Sequence, residues 1–389
     1  LKALFPNEIA KVALLNIGSE ELKGNAMIKE TYQFLNENNY SLFDFKGYIE
    51  GYYGRILSWE ERKFIVDQLS INNLNTYFYC PKEDPFHRLD WKEPYSIDWL
   101  SSFSNFHSYL KDKNINLIFG ISPGIDFTNS FEELKNKIQS LVDLGVNNVA
   151  ILFDDLSTTE DGEKHAEIIN ECIKMFMEVK FYCVPSEYSS DLCKPNLKGS
   201  IYIKKLVSTL NSKTTIFWTG DNVISDDFSD NKINDWREHL KHPLIIWDNF
   251  YAIDYCMPKI VIDDYYSIKD MSLDKLEGIL INPTGFTQID QIILNLFANR
   301  VNRNDKTFDE IINNSDLPED FNSVEDFFRF KAKASGTKEE IQALEKILWN
   351  WTGKLKTELY PYLHILVGLL KNRSNAKFMF DRFKIEFKE

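Results

Sequence analysis

Eight short apolar runs punctuate the chain between residues 47 and 281, and their spacing limits the fold more than any other feature. They are Gly47–Tyr53, Thr76–Pro81, Leu117–Ile121, Val149–Phe153, Phe181–Val184, Thr215–Trp218, Leu244–Trp247 and Ile279–Ile281. None alternates strictly between apolar and polar residues, so each reads as a strand buried on both faces. Between the runs, polar turns lead into amphipathic stretches near 98–113, 163–179, 200–211, 229–240 and 288–303. Ser58 with Glu61, and Ser130 with Glu133, have capping-box spacing, in which side chains satisfy the unpaired donors of a helix start. The second box opens a helix whose Phe131, Leu134, Ile138 and Leu141 share one face and which ends at Gly145. Before the eighth run only a short helix near 272–277 can be placed. Eight such units over about 260 residues predict a (β/α)8 barrel, with an open doubly wound sheet as the alternative.

After residue 303 the strand signals stop. Thr337 and Glu340 form another capping box, followed by Ile341, Leu344, Leu348 and Trp351 at helical spacing. The division expected is an N-terminal segment 1–42 of unassigned role, a catalytic barrel 43–303 and a C-terminal helical bundle 304–389. The five cysteines are scattered, with no CxxC, and read as reduced core thiols. A net charge of −14 repels phosphate backbones and anionic headgroups, so neither nucleic acid nor a membrane is an expected partner. No apolar run nears the ~18 residues that a membrane helix needs. The first residues lack the order of a signal peptide. A cytoplasmic location is expected, although a chain that starts at Leu1 leaves a removed leader open.

In such a barrel the chemistry sits where the strands end. Those positions are polar, aromatic and glycine-rich. They include Gly51-Tyr52-Tyr53-Gly54, Lys82-Glu83-Asp84, Ser122-Pro123-Gly124, Asp154-Asp155, Ser186-Glu187-Tyr188, Thr219-Gly220, Trp247-Asp248-Asn249 and Asn282-Pro283. Two adjacent carboxylates at the mouth of a buried strand are costly unless something uses them. Asp154-Asp155 has three readings: a cap for the helix starting near Asp161, a divalent-metal site, or acid–base work on a glycosidic bond. The metal reading is weakened because no His lies at a predicted strand end.

The motifs Glu50-Gly51-Tyr52-Tyr53-Gly54, Tyr79-Cys80-Pro81-Lys82-Glu83-Asp84-Pro85, Phe119-Gly120-Ile121-Ser122-Pro123-Gly124 and Phe153-Asp154-Asp155 together resemble glycoside hydrolase family 84. These are the O-GlcNAcases and related β-N-acetylglucosaminidases. The resemblance covers roughly residues 45–300. It implies removal of terminal β-linked N-acetylglucosamine (GlcNAc) with retention, the substrate's own acetamido group acting as nucleophile, one of the exceptions to the scheme with a carboxylate nucleophile. On that resemblance Asp154 orients the acetamido group and stabilises an oxazoline, while Asp155 protonates the leaving oxygen and then activates water. Gly51 would offer its carbonyl to a sugar hydroxyl and Lys82 would bind ring hydroxyls. Tyr188 would support the acetamido group, and Thr219, Val223 and Trp247 would line its methyl pocket. Asn249 would bind the acetamido region, Asp254 the 4- and 6-hydroxyls, and Asn282 would complete the sugar contacts. Tyr52, Cys80 and Asp248 depart from the family's usual Phe, Ala and aromatic residue.

The expected function is therefore a retaining β-N-acetylglucosaminidase that removes O-linked GlcNAc from Ser or Thr of proteins, with no metal or organic cofactor. Exo-action on glycans or oligosaccharides is the enzymatic alternative, and a GlcNAc-binding lectin the non-enzymatic one. The C-terminal helices could pair two chains into a homodimer.

Overall fold

The computed structural model describes residues 45–371, apart from 125–129, 157–160, 255–258 and 269–274. Segment 1–42, the first half of the helix expected at 272–277, Cys256 and the last eighteen residues of the tail lie outside the described residues. The strands are β1 (Phe45–Glu50), β2 (Thr76–Tyr79), β3 (Asn116–Ile121), β4 (Asn148–Leu152), β5 (Lys180–Val184), β6 (Thr215–Trp218), β7 (Leu244–Asp248) and β8 (Gly278–Ile281). All neighbours are parallel, and β1 pairs with both β2 and β8, closing the barrel. The helices are α1 (Trp59–Ile71), α2 (Ile97–Asp112), α3 (Phe131–Val142), α4 (Gly162–Met175), α5 (Ile201–Thr209), α6 (Asp230–Leu240) and α7 (Thr287–Val301).

Each strand buries both faces, and the two faces meet different partners. Ile49, Phe78, Ile118, Tyr182, Ile245 and Leu280 fill the lumen as one cluster. The alternate residues, such as Tyr48, Tyr77, Phe119 and Trp218, pack outwards in the larger cluster that includes the helices. This two-sided burial is why the runs are continuously apolar.

The helix caps follow the sequence at one expected place and depart at another. Ser58 and Glu61 form the box at α1. Ser130 is the N-cap residue of α3 but makes no side-chain bond. Its φ of −130° and ψ of 35° leave the extended conformation that aims a capping hydroxyl at the helix, so the expected box is absent. Asp161 caps α4 through Glu163 N–H, which removes that duty from Asp154-Asp155.

Beyond the barrel come α8 (Phe308–Asn313), 3-10 turns at Glu319–Ser323 and Glu325–Phe327, α9 (Lys338–Asn350) and α10 (Lys354–Lys371). The Thr337–Glu340 box is formed at α9, while Trp351 lies past its last turn as the C-cap. Glu358 of α10 accepts hydrogen bonds from the N–H groups of Gln288 and Ile289 at 3.0 and 3.1 Å. A carboxylate thus occupies the positive N-terminal end of α7. Among the described residues the four cysteines are free and buried, and no helix is long and apolar enough to cross a membrane.

Candidate active site

Strand ends converge on a cavity of about 320 Å³ at the C-terminal mouth of the barrel. All eleven residues singled out from the sequence line it: Gly51, Lys82, Asp154, Asp155, Tyr188, Thr219, Val223, Trp247, Asn249, Asp254 and Asn282. Tyr53, Val184, Phe217, Ile224 and Ala252 complete the lining. The end of β3 contributes none of these residues. Its Gly120 carbonyl and Ser122 N–H instead meet the side chain and carbonyl of His87, pinning the β2–α2 loop.

The two aspartates occupy opposite environments. Asp154 is buried, and its Oδ2 takes the ammonium of buried Lys82 as partner. Its Oδ1 is buried too and has no hydrogen-bond partner. Burial alone would lower the pKa of Lys82, yet the Asp154 charge holds it above its ordinary value. Asp155 is the next residue, but a φ of +58° turns its side chain away from that pair. About 36% of this side chain is exposed. The Tyr53 hydroxyl donates to its Oδ2 at 2.5 Å and the Tyr188 hydroxyl to its Oδ1 at 3.3 Å. Burial and then the Asp155 charge raise the pKa of Tyr188.

The opposite wall is a chain of amides. Trp247 Nε1–H and an N–H of the Asn282 amide both donate to Asn249 Oδ1, each at 3.0 Å. Asn249 gives its own N–H to the Val223 carbonyl at 2.8 Å, and Asn282 Oδ1 accepts from Gly51 N–H at 3.2 Å. Thr219 Oγ1 lies within hydrogen-bond reach of the Tyr188 and Asn222 carbonyls. Asp254 accepts from Tyr53 N–H at 3.0 Å, and burial raises its pKa. The floor is apolar, made of Val184, Phe217 and the Trp247 indole.

This arrangement has the chemistry for one polar ring: an apolar floor, amide and carboxylate rims, and two carboxylates of different solvation. A family model for beta-N-acetylglucosaminidase matches residues 46–323. The chain belongs to the glycoside hydrolase family 84 β-N-acetylglucosaminidases. Mouse protein O-GlcNAcase is 32% identical over 252 residues, 61% of this chain. The chain spans 28% of the length of that curated relative. A stretch of 50 residues is 70% identical to phosphate acyltransferase of Pelagibacter ubique, and covers 13% of this chain and 15% of that protein, too little of either to argue from. The solved structure of CpGH84B shares the fold, with a TM-score of 0.72 at 23% identity over 88% of this chain and 72% of that chain.

Sequence reasoning missed Phe217 and Val184 as lining residues. Strand parity could have found them, since both share the lumen face with Trp247, two residues before Asn249. Tyr53 stood in a quoted motif without a role. Arg88, bonded to Tyr53, gave no signal beyond being a charged loop residue.

Proposed function

We propose that this β-N-acetylglucosaminidase removes single β-linked GlcNAc units with retention, through participation of the substrate's acetamido group, and that its substrates are proteins carrying GlcNAc on Ser or Thr. The observation that carries the reading is Asp154 Oδ1, an unpartnered carboxylate acceptor in the lining of the cavity. An acetamido N–H is a fitting donor for it, and the Lys82 ammonium gives the other oxygen a buried cationic partner.

The reaction then runs in two balanced steps. The acetamido carbonyl oxygen bonds to the anomeric carbon while the bond to the aglycone breaks, its electron pair leaving with the aglycone oxygen. That oxygen takes the proton of Asp155. Asp154 stabilises the positive charge of the resulting oxazoline through its N–H. In the second step water gives a proton to Asp155 and bonds to the anomeric carbon from the face the aglycone left. The oxazoline C–O electrons return to the amide, and the configuration is retained.

In this reading Val223, Thr219 and Trp247 enclose the acetyl methyl, with Tyr188 beside it. Asn249, Asn282, Asp254, Lys82 and the Gly51 carbonyl hold the ring and its hydroxyls. The cavity's volume suits one sugar ring, which favours action on a terminal unit. The mouse relative's name, protein O-GlcNAcase, supports a protein-borne substrate. We take residues 43–303 as the catalytic unit and 304–389 as its helical appendage.

Hydrolysis of an aryl β-N-acetylglucosaminide is the test, run beside the aryl β-glucoside and an N-trifluoroacetyl analogue. The expected result is turnover of the first, none of the glucoside and a steep fall with the fluorinated acyl group. Equal rates for the acetyl and trifluoroacetyl substrates would overturn participation. Cleavage of chitobiose but not of a GlcNAc-serine peptide would overturn the protein substrate.

A further inference from the structure

Asp155 is held by more than its role as a proton donor requires. Tyr53 and Tyr188 each point a hydroxyl at one of its oxygens. Behind Tyr53 stands Arg88, whose Nη1 donates to the Tyr53 hydroxyl oxygen and whose Nη2 lies 3.9 Å from Asp155 Oδ2. The guanidinium also sits 5.5 Å from the centre of the Tyr53 ring. A phenol has one proton. With Arg88 donating into its oxygen, the Tyr53 proton is left for Asp155. The loop carrying Arg88 is fixed from below, because neighbouring His87 is fully buried and bonded on both its ring and its carbonyl to β3 and the residue after it. The other charged groups around Asp155 are Asp154, Lys82 and Asp254.

We propose that Arg88, acting through Tyr53, is a positioning residue that governs the exchange of Asp155 between acid and base. The inference rests on Asp155 being the acid–base group. As the aglycone oxygen takes the proton, a carboxylate appears at Asp155. Tyr53 and Tyr188 can then each donate to one of its oxygens, and the Arg88 charge lies beside it. The same contacts hold a side chain that follows a left-handed backbone turn. Arg88 therefore favours proton release to a poor leaving group and opposes premature reprotonation. Burial raises the pKa of Tyr53, which keeps the phenol a donor.

The test compares wild type with Arg88→Met, Tyr53→Phe, the double variant and Arg88→Lys, on nitrophenyl and methyl β-N-acetylglucosaminides across pH. Arg88→Met should lose about tenfold more kcat/KM on the methyl than on the nitrophenyl glycoside, because only the former leaves as a poor anion. Its alkaline limb should move up, because the positive charge 3.9 Å from Asp155 Oδ2 is gone. Arg88→Lys should keep most of the limb position, and the double variant should be no worse than the poorer single one. Equal losses on both glycosides with an unmoved limb would mean a merely structural role and overturn the inference. If Arg88→Met fails to fold, Tyr53→Phe, which removes a single oxygen, carries the same leaving-group comparison. Wild type inert toward both glycosides would instead sink the hydrolase reading, and this inference with it.

Discussion

Gly51→Ala is the smallest change that should disturb the whole cavity. A Cβ on Gly51 would lie 2.5 Å from Trp247 Cζ2, and 2.9 Å from both Trp247 Cη2 and Ile49 Cγ2. Carbon atoms rest at roughly 3.5–4.0 Å, so the indole must retreat by about 1 Å. It has little room to do so. Its Nε1–H is bonded to Asn249, and its rings meet the edges of Phe78 and Phe217 at 5.5 and 6.2 Å. Overpacking costs about 1–3 kcal/mol and a lost hydrogen bond about 1 kcal/mol, giving roughly 2–4 kcal/mol. At about 2 °C per kcal/mol for a chain of this size, Tm should fall by roughly 4–8 °C. A wall displaced by about 1 Å should also cost on the order of a hundredfold in kcat/KM. Scanning calorimetry and aryl glycoside kinetics measure both. Trp247→Phe removes the two clashing atoms, so Gly51→Ala in that background should cost at least 1 kcal/mol less than in wild type. A Gly51→Ala protein that melts within about 1 °C of wild type and keeps its kcat/KM would refute the packing argument.

Asp155→Asn should slow glycosides with poor leaving groups about a hundredfold or more and nitrophenyl glycosides far less, whereas Asp154→Asn should slow both; steady-state kinetics on the two substrates checks this. Burial pushes Asp248 up to about 7, against the pull of hydrogen bonds from Tyr265 and Phe250 N–H. The folded state then keeps a proton that the unfolded chain releases near pH 4, so stability should fall as pH rises from about 4 to about 7 and level off above. Asp248→Asn should make the loss between pH 5 and 8 about 2 kcal/mol smaller in urea denaturation, and an unchanged loss would contradict the burial argument. Thr337→Ala should cost about 1 kcal/mol as its capping box breaks, while Ser130→Ala should lose no capping energy, since Ser130 makes no capping bond.

The barrel was legible because burial on both faces writes itself as apolar runs, and seven of the helices, α2 to α7 and α9, were legible from their period. Strand ends were less so. The first run reads on to Tyr53, yet β1 stops at Glu50 because the next donors leave the ladder for side chains. Gly51 N–H goes to Asn282, Tyr53 N–H to Asp254 and Gly54 N–H to Glu83. Those side chains are 29 or more residues away, beyond any local pattern. The residues that line the cavity were legible through several ordered motifs together, since Asp154-Asp155 alone left three readings. Arg88 was not, because a lone arginine in a polar loop looks like any solvated charge, and its tie to Tyr53 spans 35 positions.

The segment after β7 shows how far outside the barrel the site's support extends. Asn249 and Asp254 lie on irregular chain with no strand ladder to hold it. The rigidity comes from side chains instead. Tyr265 donates to buried Asp248, and Tyr251 donates to the Asp263 carbonyl at 2.8 Å. The next support belongs to the tail. Ile262 N–H meets the Phe328 carbonyl at 2.7 Å, Asp263 holds Arg329 and Phe330 N–H at 2.8 and 2.9 Å, and Phe330 stacks on Phe250 at 4.5 Å. Strand counting puts a boundary at residue 303, but a barrel cut there loses every one of these tail contacts. The β/α repeat closes the sheet without the tail, whereas the segment presenting Asn249 and Asp254 to the cavity leans on residues 328–330 for its outer face.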